Sequence, residues 1–192
     1  MRTALALIAT LALFGTAATA EPKTYEIDPA HTQTMFSVGR FGFTSILGVF
    51  GQAQGAIVLD EANPAASSVT ASVTTASLWT SDATRDEHVR SPRWLNAAAA
   101  PTITFQSTAV TVTGEGTAQV AGDLTINNVT RPVTLTVRLN KIGQNPASPR
   151  RTAGFTITGK ISRRDFGLTT APALIGDEVG IHIETLALER AG

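Results

Sequence analysis

The chain has 192 residues, of which 43% are hydrophobic and 16% charged, and fifteen basic side chains balance fifteen acidic ones. That length fits one domain able to fold on its own apolar core. The absence of cysteine excludes a disulfide scaffold, a thiolate zinc site, an iron–sulfur cluster and a cysteine nucleophile, and zero net charge without a basic run opposes nucleic-acid binding, which depends on neutralising phosphates.

The first 20 residues read as an export signal. Met1-Arg2 gives a positive end, Ala4 to Phe14 an apolar run, and Ala18-Thr19-Ala20 an A-x-A cleavage site. The apolar run is shorter than the roughly 20 residues of a membrane-spanning helix, and no cysteine follows for a lipid anchor. Removal of the signal leaves residues 21–192 as a single domain of 172 residues, fourteen basic against fifteen acidic once Arg2 is lost, a net charge of −1. The expected location is the periplasm.

The rest of the chain is dominated by strand signals, with Thr and Val recurring throughout. Tyr25–Ile27, Gln33–Phe41, Gln52–Leu59 and Val69–Leu78 are predicted strands. Between Phe36 and Phe50, four Phe residues (Phe36, Phe41, Phe43, Phe50) interleave with Gly39, Gly42 and Gly48, and Gly51 follows. Glycine weakens a strand interior, so this stretch is either a core strand with a bent corner or one wall of an apolar cavity. Ser81–Leu95 interrupts the pattern with Asp82, Arg85, Asp86, Glu87, His88, Arg90 and Arg93. Thr84-x-x-Glu87 matches a capping box and Asp86–Arg90 an i,i+4 ion pair, which predicts a helix ending near Arg90-Ser91, before Pro92. Trp94-Leu95 is expected to pack back onto the domain.

Period-two alternation returns in Thr102–Val112, Thr117–Ile126, Val133–Leu139 and Phe155–Ile161. Gly114-Glu115-Gly116 and Asn127-Asn128 punctuate them as turns, and Gln144-Asn145-Pro146 with Pro149 marks a longer loop. Near the C-terminus Val179, Ile181 and Ile183 alternate, and Leu186 and Leu188 continue one step out of phase, which predicts a β-bulge near Glu184-Thr185. Eight or nine short strands separated by turns imply a closed antiparallel barrel or a sandwich.

Catalytic chemistry is poorly supported. His31, His88 and His182 have no metal-ligand spacing around them, and no nucleophile elbow, phosphate loop or dinucleotide glycine fingerprint occurs. His31 follows the turn Asp28-Pro29-Ala30, His88 lies on the charged helix, and His182 lies out of phase with Ile181 and Ile183, facing solvent. Consecutive helical side chains point about 100° apart, so Arg85-Asp86-Glu87-His88 does not converge on one atom.

One ordered set of motifs carries a resemblance. Ile27-Asp28-Pro29-Ala30-His31 is followed by Gly48-x-Phe50, Gly55-x-Ile57, the run Arg85 to Ser91 with Trp94-Leu95, and Pro101 to Phe105. Gly122-Asp123-Leu124-Thr125-Ile126-Asn127-Asn128-Val129-Thr130-Arg131-Pro132-Val133, Phe155 and Ser162-Arg163-Arg164-Asp165-Phe166-Gly167 complete it. In this order the chain resembles the YceI-like, polyisoprenoid-binding family from about Thr24 to Glu189. The resemblance implies an all-β fold: an extended, lipocalin-like antiparallel β-barrel of about eight strands with one short helix. It also implies export to the periplasm, an apolar cavity for an isoprenoid chain, isoprenoid quinone or similar amphiphile, and frequent homodimers. Trp94 stands where Phe is common in the family, and Thr169–Asp177 is a loop of this chain's own.

The resulting expectation is a non-enzymatic carrier with no cofactor, no metal and no nucleic-acid partner, whose partners are a long-chain lipid and, transiently, a membrane. The residues expected to bind the lipid are Phe36, Val38, Phe41, Phe43, Phe50, Ile57, Phe105, Leu124, Ile126, Leu135, Val137, Phe155 and Ile157, with His31, Arg85 and Arg164 as polar contacts near an opening. Two rival readings are a structural or stress-related interaction protein with a filled barrel, and an enzyme acting on a bound lipid.

Overall fold

A computed structural model describes residues 21–191; the export signal expected over residues 1–20 lies outside them. Ten strands form one antiparallel sheet: β1 (Lys23–Ile27), β2 (Gln33–Arg40), β3 (Thr44–Phe50), β4 (Gln54–Leu59) and β5 (Ser68–Thr74) in the first half. β6 (Thr102–Gly114), β7 (Thr117–Ile126), β8 (Val129–Gln144), β9 (Arg151–Ser162) and β10 (Ile175–Glu189) make up the second. The order β1-β4-β5-β6-β7-β8-β9-β10 closes on itself through β1–β10 pairing, giving the eight-stranded barrel. Closure removes the exposed edges that an open sheet of this size would present.

The hairpin β2–β3 is an addition to that barrel. β10 is long enough to serve two neighbours, pairing β2 through Ile175 to Glu184 and β1 through Ala187 to Glu189. The sequence reading ran one strand through Phe41, but Phe41-Gly42-Phe43 is a three-residue turn, with Phe41 at φ 52° and Gly42 at φ 73°. Glycine at the second position costs no Cβ clash there. β3 then returns along β2 and is pinned at its far end, where Val49 and Trp79 exchange both backbone hydrogen bonds at 2.9 and 3.0 Å.

Two further expectations are corrected. No bulge lies at Glu184-Thr185: β10 stays in register with β9 from Glu178↔Ser162 to Leu188↔Thr152. The alternation breaks in side-chain polarity instead. Thr185 takes the buried position in phase with Ile183, its hydroxyl 2.9 Å from that of buried Thr32, so the polar side chain is satisfied inside. The irregularity of β10 falls between Ile175 and Val179, against β2. The helix α1 (Ala83–Arg90) does end before Pro92, but its N-cap is Asp82, whose carboxylate accepts from Arg85 N at 2.8 Å, rather than Thr84. Asn127 and Asn128, both at positive φ, join β7 to β8 in the two-residue turn that hairpins favour.

Two buried clusters mark the two ends. Leu78, Leu95, Leu124, Ile126 and Phe166 pack beneath α1. Tyr25, Ala153, Phe155 and Ala187 pack where β1 meets β10 and β9 at the opposite end.

Candidate functional site

Between these clusters runs a cavity of about 910 Å³. Its wall is assembled by the period of two: one side chain in every pair points inward from each strand. β4 supplies Ile57, β6 Phe105, β7 Leu124 and Ile126, β8 Leu135 and Val137, and β9 Phe155 and Ile157. The added hairpin contributes Phe36, Val38 and Phe50. These eleven predicted apolar residues all line the cavity. Phe36 and Phe50 meet there with ring centroids 5.4 Å apart.

Glycines give the larger side chains room to lie along the wall. A Cβ on Gly48 would meet Phe36 Cζ at 2.3 Å, one on Gly122 would meet Phe105 Cζ at 2.4 Å, and one on Gly159 would meet Leu135 Cδ2 at 2.5 Å. The glycine enrichment around Phe36–Phe50 thus has a packing cause at Gly48: the ring of Phe36 occupies the place of its missing side chain.

The remaining five predicted residues divide. Phe41 and Phe43 do not line the cavity; the turn between β2 and β3 carries them to the surface. Arg85 borders the cavity at the α1 end but is committed to Thr80, donating from Nε to its hydroxyl at 2.7 Å and from Nη2 to its carbonyl. Thr80 in turn donates from N and Oγ1 to buried Asp86 at 2.8 and 2.6 Å, and Arg90 donates to Leu78 O. This network fastens α1 across the barrel end. His31 is not at an opening. Its Nδ1 lies 2.6 Å from Asp28 Oδ2, and that hydrogen bond, with one from Ala30 N, holds the Asp28 carboxyl below its ordinary range. Arg164 is half-exposed beside Asp177, 3.5 Å away, and also lies outside the cavity.

The arginine that reaches the cavity wall from that segment is the neighbour, Arg163. It is buried and donates to the carbonyls of Gly176 at 2.8 Å, Thr170 and Ile175 at 3.0 Å, and Leu168. Desolvation lowers its pKa from the ordinary arginine value. It secures the Thr169–Asp177 loop at the α1 end.

Sequence reasoning left out Ile46, Ile103, Val120, Leu139 and the inward side of β10, Val179, Ile181 and Ile183. The alternation of the β10 residues carried the necessary signal. At the α1 end the lining includes exposed Arg40, Asp82, Thr84 and His88; at the other end it includes exposed Glu61, Pro64 and Val112. The cavity therefore extends along the barrel to polar rims at both ends, with an apolar middle. Among the described residues no group of three His, Cys, Asp or Glu side chains is placed to hold a metal.

Comparison with known proteins agrees with this architecture. Residues 25–187 match the YceI-like domain. The chain is 38% identical over 164 residues to a UPF0312 protein of Ectopseudomonas mendocina, covering 85% of each. It is 37% identical over 168 residues to Protein YceI of Escherichia coli O157:H7, covering 86% of this chain and 87% of that protein. Among solved structures, BcnA of Burkholderia cenocepacia superposes with a TM-score of 0.74 at 25% identity, over 83% of this chain and 98% of that one. A polyisoprenoid binding domain from Saccharophagus degradans shares the fold with a TM-score of 0.64 at 13% identity, over 86% of this chain and 98% of that one. With the domain matched almost end to end and its barrel built as described, the chain belongs to the YceI-like family.

Proposed function

We propose that the protein binds one long apolar chain, a polyisoprenoid or the tail of an isoprenoid quinone, inside the barrel and carries it through the periplasm. The observation that carries this reading is the 910 Å³ apolar cavity running along the barrel. If each carbon-sized group takes about the 30 Å³ that a water occupies in the liquid, the space holds about 30 such groups in a line. Each methylene moved from water into it contributes about 0.8 kcal/mol. Exchange with a membrane is nearly neutral by comparison, because lipid tails are equally apolar, and this is the property a carrier needs. The polyisoprenoid-binding S. degradans domain supports the choice of ligand class by its shared fold.

The protein acts by binding rather than catalysis in this reading, since the buried polar side chains at the α1 end, Asp86 and Arg163, are engaged in holding α1 and the loop. A barrel filled by its own side chains is the reading that the cavity disfavours. Organic extraction of the purified protein followed by mass spectrometry should release a long apolar lipid, and stripped protein should take up an isoprenoid quinone stoichiometrically. Protein that is empty as purified and indifferent to added quinone would overturn the proposal.

A further inference from the structure

Five of the seven large apolar side chains exposed on the described surface gather in one place. Phe41 and Phe43 form the tip of the β2–β3 hairpin, and Leu47 stands on the outer face of β3. Trp79 is bonded to Val49 of the same strand, and Leu174 accepts a hydrogen bond from Phe41 N at 2.9 Å. Exposure is 92% at Phe43, 69% at Leu47 and 58% at Trp79, so nothing among the described residues covers them. Exposed apolar side chains concentrated along one hairpin mark an interaction surface.

Three observations identify what it meets. The segment Gln33–Phe50 contains no carboxylate and one cation, Arg40, whose guanidinium lies 4.8 Å over the Phe41 ring. Counted along β2, Val38 is level with Val179 and Ile161, one residue before β9 ends, and Phe41 lies three residues farther on, so the tip projects about 7 Å beyond β9 at roughly 3.3 Å per residue. The inner face of the same hairpin is cavity wall, through Phe36, Val38 and Arg40. Two protruding Phe residues beside a single cation suit insertion among lipid tails under anionic headgroups.

We infer that the β2–β3 hairpin docks the protein on an anionic lipid surface and sets the α1-end mouth of the cavity against it. The inference rests on the carrier reading for its purpose but not for its test. A chain leaving the cavity at a docked mouth passes from apolar wall to apolar tails. One leaving through water is disfavoured by about fourfold in equilibrium constant for every methylene exposed.

The test is flotation of the full domain with vesicles of phosphatidylethanolamine and phosphatidylglycerol. The protein is expected to float with them, less so with phosphatidylcholine alone, and the indole introduced by Phe43→Trp to be quenched by brominated tails. Phe43→Ser and Leu47→Ser lie outside the cavity and should each lower the vesicle partition coefficient about tenfold, the factor for losing one apolar anchor, while Phe43→Trp retains it. Quinone uptake measured on the same proteins separates the two claims. Absence of flotation with uptake intact overturns the docking alone; flotation without uptake overturns the carrier reading and leaves the docking. Flotation indifferent to Phe43→Ser and Leu47→Ser, or a homodimer that these variants dissociate without vesicles present, overturns the lipid surface as the occupant.

Discussion

Ile157→Trp tests whether the barrel is hollow. Ile157 lies mid-wall, paired with Val137 on β8 and Ile183 on β10, and all three line the cavity. Tryptophan adds six side-chain heavy atoms to those of isoleucine, fused into a compact ring system whose extra bulk is about 60 Å³, or two groups of roughly 30 Å³ each. Set against 910 Å³, that shortens the longest fully housed chain from about 30 carbon-sized groups to about 28 at the same ~30 Å³ each. The wild-type protein should bind a series of linear isoprenoids or fatty alcohols about fourfold more tightly for each added methylene, until the cavity is full and affinity levels off. In the variant the plateau should begin about two carbons earlier at the same ~30 Å³ per group. Calorimetric titration or native mass spectrometry over the series reads it. Stability is the second readout: a large side chain forced into a packed core costs about 1–3 kcal/mol, whereas one entering empty space costs little. A variant that is destabilised by that amount, with the plateau unmoved, would refute a hollow barrel.

Three further perturbations probe how the wall and its ends are held. Gly122→Ala places a Cβ 2.5 Å from Gln106 O, a backbone atom that cannot swing aside as Phe105 can; urea denaturation should show a loss of about 1–3 kcal/mol, and an unchanged midpoint would refute the fit. Asp86→Ala leaves Thr80 N and Oγ1 without their buried acceptor, a cost of about 1–3 kcal/mol, and hydrogen exchange should rise in Thr80–Arg90 ahead of the barrel strands. Asp28 has its folded pKa lowered, first by the His31 hydrogen bond, so its contribution is complete above the ordinary carboxylate range and is lost as pH falls through the lowered value. Asp28→Asn should lower Tm at neutral pH and flatten the acid limb of the Tm–pH profile, and an acid limb identical to wild type would refute that role.

Much of the barrel was legible because alternation is a local signal. In Val133–Leu139 every second residue is apolar, and the structure turns Leu135, Val137 and Leu139 into the cavity and packs Val133 against the cluster beneath α1. The residues that misled did so where a non-local partner decides. Phe41 and Phe43 have the composition of wall residues, but Gly42 between them reverses the chain and leaves their rings outside. Thr185 reads as a polar break in the alternation, and only Thr32, 153 positions earlier, makes it an interior residue. Arg163 and Arg164 are indistinguishable by type; the carbonyls of Leu168 to Gly176 select the first for burial. No sequence pattern announces that β10 is shared between β1 and β2, because that follows from its length relative to both partners.

The polar chemistry of the domain is concentrated on holding its frame. Arg163 donates to four backbone carbonyls, Arg85 to both oxygens of Thr80, and Asp86 receives both protons that Thr80 offers. Asp86 and Arg163 are buried and bonded into the frame, where a polar group left unpaired costs about 1–3 kcal/mol, whereas half-buried Arg85 engages only Nε and Nη2 at the α1 end. Selection inside the barrel therefore rests on length, width and apolarity, which favour any slender chain of sufficient reach. Discrimination between headgroups falls to the exposed rims, Arg40, Asp82, Thr84 and His88 at the α1 end and Glu61 at the other. Glu61 at the far rim is ion-paired with Arg151 at 2.7 Å, and only the α1 end bears the protruding aromatic hairpin, so in the proposed carrier a chain entering there tail-first leaves its headgroup among Arg40 and His88. Replacing Arg40 should then alter the preference between anionic and neutral headgroups at constant tail length, and leave the chain-length plateau where it is. A headgroup preference that ignores Arg40 but follows Glu61 would place entry at the opposite end.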